Sequence, residues 1–451
     1  MKNLNKLSAT EAAKGIRNRK FTSEQLINDC LNRIEAREPA IQAWAYIDPN
    51  HAILGAKKAD QQLKEGGTLG PLHGIPIGIK DVIDTEDMPT ENGSPIFAGR
   101  QPQHDASCVA ALKGAGAIII GKTVTTEFAN LSPSKTRNPH NVEHTPGGSS
   151  AGSGASVADY HVPLALGTQT GGSVIRPASF NGVYGLKPTL GLIPRKGMLL
   201  QSHTLDTIGV YARTLEDLAL ITDSISFPDP HEQQSYRISR GSLVDDYLEK
   251  NPCTPKFAFL ETPAWPEADP VARKAIESVT QTLGDNCLKE TLPAPFHNII
   301  NLHATVFSAE NAHYYGGFLK DNASLLSEKL RHRLESTKNT IASDYISALE
   351  LRNDIYNSVE ALLERYDAIL CLPATGPAPF GFETTGSAIF NGLWTYLGVP
   401  CVSLPLLNVE NLPLGIQLVG KRGEEGKLLS TARSLENYLS GKIETVFSPQ
   451  G

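Results

Sequence analysis

The order of apolar segments along this chain predicts an α/β protein with a central, largely parallel or mixed β-sheet. From residue 71 onward, short apolar runs bounded by glycine and proline alternate with stretches of helical periodicity, which is typical of α/β folds. The β pattern returns near the C terminus after a long helical stretch. We therefore expect residues 1–451 to form a single composite domain whose late part completes an early sheet.

The first segment, residues 1–70, is predicted to be helical. Ser8 with Glu11, and Thr22 with Gln25, have the spacing of two capping boxes. In a capping box each side chain satisfies a backbone amide that the start of a helix leaves free. Apolar residues recur at helical spacing behind the second cap, so the segment predicts amphipathic helices that pack on the rest of the chain.

Residues 71–226 carry the strands and turns of the expected core. Short apolar runs there predict three strands, and two stretches predict helices, the first with Asp105 as its N-cap. The predicted strands are Ile75–Ile79, Ala117–Ile120 and Val162–Leu166, and the predicted helices run from Asp105 to Leu112 and over Ala151–Ala158.

Residues 227–366 are predicted to be a mostly helical insert, and residues 367–451 to complete the sheet. The stretch from Phe227 to Pro255 is polar and has no sheet pattern, so we expect a surface excursion; helical periodicity covers residues 297–366. The last predicted elements are strands at Ala368–Leu372 and Leu414–Val419 and a helix over Glu424–Leu439.

Composition narrows the class of protein. Hydrophobic residues make up 40% and charged residues 20%, with a net charge of −7, as in ordinary soluble globular proteins. No basic run indicates nucleic-acid binding, and none of the six cysteines forms a C-x-x-C pair. Neither a signal peptide nor a run of roughly 20 apolar residues is found. We expect a cytoplasmic protein with no metal, membrane or nucleic-acid site.

Two glycine–serine turns are the strongest chemical signal. They lie in Thr145–Ser153 and in Gly167–Ser173. Glycine lets the backbone approach a ligand closely, and successive amides in such a turn form a nest that holds developing negative charge. A serine at the end of the nest is placed to attack a carbonyl group whose oxygen the nest binds.

A serine hydroxyl needs a base to become a nucleophile. His73 and His144 flank the motifs, but neither has a recognisable triad context, and no G-x-S-x-G elbow surrounds Ser149 or Ser173. Lys80 ends the first predicted strand. Burial there lowers the pKa of a lysine toward the neutral form that a base requires. Lys80 is therefore the better candidate.

Several sequence blocks, in this order, resemble those of the amidase signature family, and together they extend over roughly residues 5 to 440. The blocks are Gly74–Asp81, Gly121–Thr123 with Glu127, the GGSS turn Gly147–Ser150, the TGGS turn Thr170–Ser173, Tyr184–Thr189 and Leu412–Gln417. The resemblance implies the amidase-signature fold, a central mixed β-sheet covered by helices on both faces.

The resemblance also implies a catalytic mechanism for an amide carbon–nitrogen bond. The family's lysine falls on Lys80, its bridging serine, which follows a cis peptide bond, on Ser149, and its nucleophile on Ser173. Backbone amides of Thr170, Gly171, Gly172 and Ser173 are expected to bind the oxyanion. The reaction needs no metal and no organic cofactor, and dimers are common in the family, so we expect a small amide as substrate and consider a homodimer.

The nucleophile turn departs from the usual family pattern, GTDTGGSIR. Gln169 and Ile175 replace the aspartate and the arginine, and Arg176 follows instead. This arrangement resembles the malonamidase branch, whose arginine at this position holds a substrate carboxylate, a role that suits a guanidinium. A substrate that bears a carboxylate is one interpretation; the other is that Arg176 pairs with an internal acid such as Asp81.

Two other functions compete with a free-standing amidohydrolase. The family includes the glutaminase subunit that supplies ammonia to a partner complex, and this role requires partner subunits and a glutamine pocket. The missing aspartate–arginine pair argues against it. The other alternative is a catalytically idle binding protein, against which stand the intact Lys80, Ser149 and Ser173.

Overall fold

The computed structural model describes residues 3–230, 232–236, 241–249 and 254–442. Its strands are β1 (Trp44–Ile47), β2 (Pro76–Lys80), β3 (Ile118–Thr123), β4 (Leu164–Gln169), β5 (Tyr184–Lys187), β6 (Thr207–Ala212), β7 (Phe257–Leu260), β8 (Cys287–Glu290), β9 (Ala368–Cys371), β10 (Cys401–Val409) and β11 (Leu412–Val419). Its helices are α1 (Ala9–Arg17), α2 (Ser23–Ile41), α3 (Pro49–Lys64), α4 (Ser107–Gly114), α5 (Ala151–Ala158), α6 (Ile175–Asn181), α7 (Leu215–Ile225), α8 (Leu243–Leu248), α9 (Pro270–Leu283), α10 (Ile299–Asp321), α11 (Glu328–Thr337), α12 (Ala342–Leu363), α13 (Ile389–Leu397) and α14 (Glu425–Leu439).

All strands of the described residues join one mixed sheet in the order β1-β3-β2-β4-β6-β5-β10-β11-β9-β7-β8. Strand β2 runs parallel to both of its neighbours, β3 and β4. At the other end of the sheet, β7 runs parallel to both β8 and β9. The remaining neighbours are antiparallel. The mixed sheet implied by the resemblance is confirmed. Because β2 and β4 are parallel neighbours, their carboxyl ends lie at the same edge of the sheet.

Helices cover both faces of this sheet. In β4, Leu164 and Leu166 enter the largest apolar cluster, whereas Ala165 between them enters a second cluster on the other face. Strand β9 alternates in the same way, with Leu370 in the largest cluster and Ile369 in a third. Successive residues of a strand point to opposite faces, so fully buried strands need apolar packing on both sides.

Most of the predicted elements are present with bounds shifted by a few residues. Both capping boxes are confirmed: the hydroxyls of Ser8 and Thr22 accept from the amides of Glu11 and Gln25, and the amides of Ser8 and Thr22 donate in return to the side chains of Glu11 and Gln25. The N-cap assigned to Asp105 is wrong: α4 begins at Ser107 without a side-chain cap. The Asp105 carboxylate instead accepts hydrogen bonds from the Glu86 amide and from Lys113.

The long insert also contains two short strands that the sequence did not predict. Residues 227–366 contain β7 and β8, which extend the sheet at the edge beyond β9. Within the predicted excursion, residues 231, 237–240 and 250–253 lie outside the described residues, and α8 falls in the described part. Cys253 is likewise outside; the other five cysteines are free and buried. Among the described residues, no helix combines the length and apolar character that crossing a bilayer requires.

Candidate active site

Lys80 is the last residue of β2 and is fully buried. Its Nζ is hydrogen-bonded to Ser149 Oγ and to Thr168 Oγ1, both at 2.7 Å. The parallel register of β2 and β4 sets Ile79 opposite Leu166, which brings the ends of the two strands together. Burial lowers the pKa of Lys80 well below its usual value, and the nearby Asp206 carboxylate raises it only in part. The arrangement favours a neutral amine beside a serine hydroxyl.

Ser149 lies in the turn before α5, and the peptide bond between Gly148 and Ser149 is cis. The Ser149 carbonyl accepts from the Thr126 amide at 3.1 Å. The methyl groups of Thr126 and Thr385 pack against Gly148, where an added Cβ would lie 3.1 and 2.8 Å from them. The backbone that carries Ser149 is thus held by contacts from several directions.

The turn between β4 and α6 carries Ser173, which is 9% exposed. This turn is tied to the Ser149 turn, because Ser150 Oγ donates to the Thr168 carbonyl and accepts from the Thr168 amide, each at 3.2 Å. The hydroxyl of Tyr211 donates to the Ser173 carbonyl at 3.0 Å. Both glycine–serine turns therefore meet at the carboxyl ends of the parallel strands β2 and β4.

Gln169 shapes the nucleophile turn. Its Oε1 accepts from the amides of Val174 and Ile175 at 2.8 and 3.0 Å, at the start of α6. Its Nε2 donates to Thr395 Oγ1 at 3.0 Å. A neutral amide thus supplies the acceptor that the first turn of a helix requires, at the position where the family commonly has an aspartate.

A buried carboxylate stands behind the same turn. Thr170 Oγ1 donates to Asp206 at 2.5 Å and accepts from Gln201 Nε2 at 2.6 Å. The amides of Gln201 and Ser202 also donate to Asp206, at 2.8 and 3.0 Å. Burial raises the pKa of Asp206 to about 6 against these hydrogen bonds. Asp206 therefore fixes Thr170 and places a titratable charge near Lys80.

Arg176 lies in the first turn of α6 and is 4% exposed. Its Nη2 donates to the Gly148 carbonyl at 2.7 Å and to Thr385 Oγ1 at 3.2 Å. In the described part of the chain, its Nε and Nη1 have no hydrogen-bond partner. Burial lowers its pKa to about 10, which leaves the guanidinium charged at neutral pH.

The internal pairing considered for Arg176 is not found. Asp81 lies 3.6 Å from Lys122 and accepts from the Glu91 amide at 3.1 Å. Among the described residues, no carboxylate comes within ion-pair distance of Arg176. An unpaired guanidinium that is shielded from water is costly unless a ligand satisfies it, so the residue is suited to hold an anionic group.

Sequence reasoning missed several residues that shape the site. Asp206, His303 and Thr395 contact the nucleophile turn from distant parts of the chain. Thr168 belongs to the segment Gly167–Ser173, yet its contact with Lys80 depends on strand register. His73 and His144 hydrogen-bond to backbone carbonyl groups of Ala59 and Ala378, as expected of structural histidines.

Comparison with known proteins finds one family and relatives that match this chain over most of its length. The family model described as Amidase matches residues 25–429. The A subunit of a glutamyl-tRNA(Gln) amidotransferase from Natranaerobius thermophilus is 32% identical over 481 aligned positions, covering 97% of this chain and 96% of that protein.

Two solved structures share the fold over almost their whole length. One belongs to an unexpected vestigial protein complex that reveals the evolutionary origins of an s-triazine catabolic enzyme; it is 26% identical, covers 96% of this chain and 98% of its own, and gives a TM-score of 0.89. The other, a native peptide amidase from Stenotrophomonas maltophilia, is 26% identical, covers 98% and 99%, and gives a TM-score of 0.82.

Proposed function

This chain belongs to the amidase family and is an amide-hydrolysing enzyme, and on that premise we propose that it acts through an acyl-enzyme on Ser173 with Ser149 and Lys80 as proton relay. The observation that carries the proposal is the buried Lys80 amine, 2.7 Å from Ser149 Oγ and with a lowered pKa. A neutral amine donates one hydrogen bond to Thr168 and keeps its lone pair for the Ser149 proton. The idle binding protein has no support from these comparisons.

The proposed reaction has two acyl-transfer steps. Lys80 takes the proton of Ser149, Ser149 takes that of Ser173, and Ser173 Oγ attacks the amide carbon. Amides of Thr170 to Ser173 hold the oxyanion. The relay then returns the proton to the leaving nitrogen, the carbon–nitrogen bond breaks, and an ester on Ser173 remains. Water attacks this ester by the same relay and releases a carboxylic acid and free Ser173.

For the substrate we propose a small linear amide that bears a carboxylate. Arg176 supports this proposal because its Nε and Nη1 lack partners in the described residues while the side chain is buried. A charged guanidinium favours a carboxylate through charge-assisted hydrogen bonds. The malonamidase-like branch that the sequence indicates is part of this proposal, since none of the relatives named above is a malonamidase.

A second candidate is the glutaminase component of an amidotransferase. The 32% identity to the A subunit of a glutamyl-tRNA(Gln) amidotransferase, over 97% of this chain, favours it, and more directly than any comparison favours a free-standing hydrolase. Glutamine is itself a small amide with a carboxylate, so both candidates use the proposed site. They differ in whether a partner complex receives the ammonia.

Three further expectations from the sequence concern the domain organisation, the location and the oligomeric state. We propose that residues 1–451 act as one catalytic domain, which the shared sheet of the described residues supports. A cytoplasmic location and a homodimer stay predictions. No nucleic-acid or membrane role is proposed for the isolated chain.

The test is ammonia release by the purified chain from matched amides. The panel pairs malonamate with malonamide and succinamate with succinamide, adds glutamine, and uses Ser173→Ala as the blank. Preferred turnover of the acid amides supports a free-standing hydrolase. Turnover confined to glutamine, or dependent on added partner subunits, supports the second candidate. Equal turnover by Ser173→Ala and the wild type contradicts the mechanism.

A further inference from the structure

We infer that His303 is a positioning residue that aims the oxyanion-binding amides, with Thr395 as its counterpart on the next peptide. The inference rests on the proposed function, because it concerns the turn that follows β4. His303 Nε2 lies 3.0 Å from the Thr170 carbonyl oxygen. Thr395 Oγ1 donates to the Gly171 carbonyl at 2.8 Å. Two consecutive carbonyl groups of the turn are thus held by side chains of α10 and α13.

The next two carbonyl groups of the turn are also occupied. The Gly172 carbonyl accepts from the Arg176 amide at 3.0 Å, within the start of α6. The Ser173 carbonyl accepts from Tyr211 at 3.0 Å. By contrast, the amides of Gly171, Gly172 and Ser173 donate to no acceptor in the described part of the chain. Among the described residues, all four carbonyl groups of the turn therefore accept a hydrogen bond, whereas the amides of Gly171, Gly172 and Ser173 stay available.

Peptide geometry links these two facts. In a trans peptide, the carbonyl and the amide of the next residue point in opposite directions within one plane. When His303 holds the Thr170 carbonyl, the Gly171 amide points away from the imidazole. When Thr395 holds the Gly171 carbonyl, the Gly172 amide points away from that hydroxyl. The two side chains therefore set the direction of two amides that the proposed mechanism uses.

The surroundings of His303 fix the orientation and the protonation state of its ring. A carbonyl only accepts, so Nε2 must carry the proton. Burial lowers the pKa of the imidazole to about 4, so the ring stays neutral in the working pH range. The ring sits against Gly392 of α13, where an added Cβ would lie 2.9 Å from His303 Nδ1. Only glycine at that position leaves room for the ring in this place.

Two matched pairs of variants test the inference. His303→Leu removes the donor, while His303→Gln keeps an amide nitrogen at similar reach. Thr395→Val removes the hydroxyl with little change of shape, while Thr395→Ser keeps it. The readouts are kcat and KM on the best amide of the panel, and the rate at which a fluorophosphonate labels Ser173. Phosphonylation of a serine also develops charge on an oxygen that an oxyanion site binds.

We expect His303→Leu and Thr395→Val to lower kcat and the labelling rate about 10- to 100-fold, with KM almost unchanged. This loss is smaller than the reduction of about 10²- to 10³-fold that follows removal of an oxyanion donor itself. His303→Gln and Thr395→Ser should recover most of the loss. If His303→Leu and Thr395→Val are both labelled at the wild-type rate while Ser173→Ala is inert, the inference is wrong and the proposed function stands. If Ser173→Ala remains active, the proposed function itself fails. Should His303→Leu not fold, the Thr395 pair decides.

Discussion

Replacement of Arg176 by glutamine should remove the preference for acid amides and spare neutral ones. Glutamine removes the charge and keeps one neutral amide donor at about the position of Arg176 Nε, two bonds short of the Nη2 that donates to the Gly148 carbonyl at 2.7 Å. The structure leaves Nε and Nη1 without partners among the described residues. A substrate carboxylate that takes two of their N–H groups would lose both charge-assisted hydrogen bonds.

The size of the effect follows from these contacts. Two charge-assisted hydrogen bonds contribute about 3–6 kcal/mol, and the single neutral bond that glutamine retains contributes about 1 kcal/mol. The difference of about 2–5 kcal/mol corresponds to roughly 30- to 5,000-fold in kcat/KM. We expect this loss for malonamate or succinamate. For the matching diamide the loss should stay within about tenfold, since no carboxylate is present.

The assay measures the ratio of kcat/KM for the acid amide to that for its diamide, in wild type and Arg176→Gln. Using the ratio cancels any disturbance that the variant transmits to Ser149 through Gly148. Arg176→Lys is the companion variant, because it keeps a charge but lacks the planar guanidinium. An unchanged ratio in Arg176→Gln would refute the anchoring role, whatever happened to the absolute rates.

Two further predictions concern proton transfer and stability. Asp206→Asn should shift the acid limb of kcat/KM to lower pH. The relay needs neutral Lys80, and above about pH 6 the ionised Asp206 carboxylate raises the pKa of Lys80. Removing that charge lets Lys80 lose its proton at lower pH. The fraction of plateau activity that remains at about pH 6.5 should therefore increase, as a pH–rate profile would show. Asp60→Ala should lower the free energy of unfolding in urea by about 2–4 kcal/mol, because the carboxylate accepts from the amides of Ser23 and Glu24 at the start of α2, at 2.8 and 3.0 Å.

Both predictions have matched controls. Asp217 is a buried carboxylate that holds the amides of Ala9 and Thr10, so Asp217→Asn should leave the acid limb in place. A shift of equal size in both variants would contradict a specific effect on Lys80. Glu35 is exposed on α2, and Glu35→Ala should change stability by less than about 0.5 kcal/mol. Equal losses for Glu35→Ala and Asp60→Ala would contradict the capping role.

The sequence predicted β2, β3, β4, β9 and β11 from their apolar runs, but it missed β6 and β10, which are similarly buried and lie nearer the centre of the sheet. Continuous apolar runs such as Ile75–Ile79 stay visible without structural information. The edge strand β8 was missed, since Leu288 is exposed and the two residues that follow it, Lys289 and Glu290, are charged. Strand β5 was missed because glycine and lysine interrupt its apolar pattern, although Lys187 is buried and donates to the Val399 carbonyl.

The sequence likewise identified some residues of the candidate site and missed others. Lys80, Ser149 and Ser173 lie in contiguous motifs, so their residue types and order were readable from the sequence. The roles of Asp206 and His303 depend on packing between segments that are far apart in sequence, 36 and 133 residues from Thr170. A lone aspartate or histidine in such a segment has no local pattern that separates it from a structural residue.

The central claim is that Ser173 carries the acyl group, and it is tested most directly by mass spectrometry of the enzyme quenched in acid during turnover. Digestion should yield the peptide containing Ser173 with the added mass of the acyl part of the amide, and Ser173→Ala should yield neither adduct nor ammonia. An adduct on Ser149 or on another residue, or wild-type ammonia release by Ser173→Ala, would contradict the account.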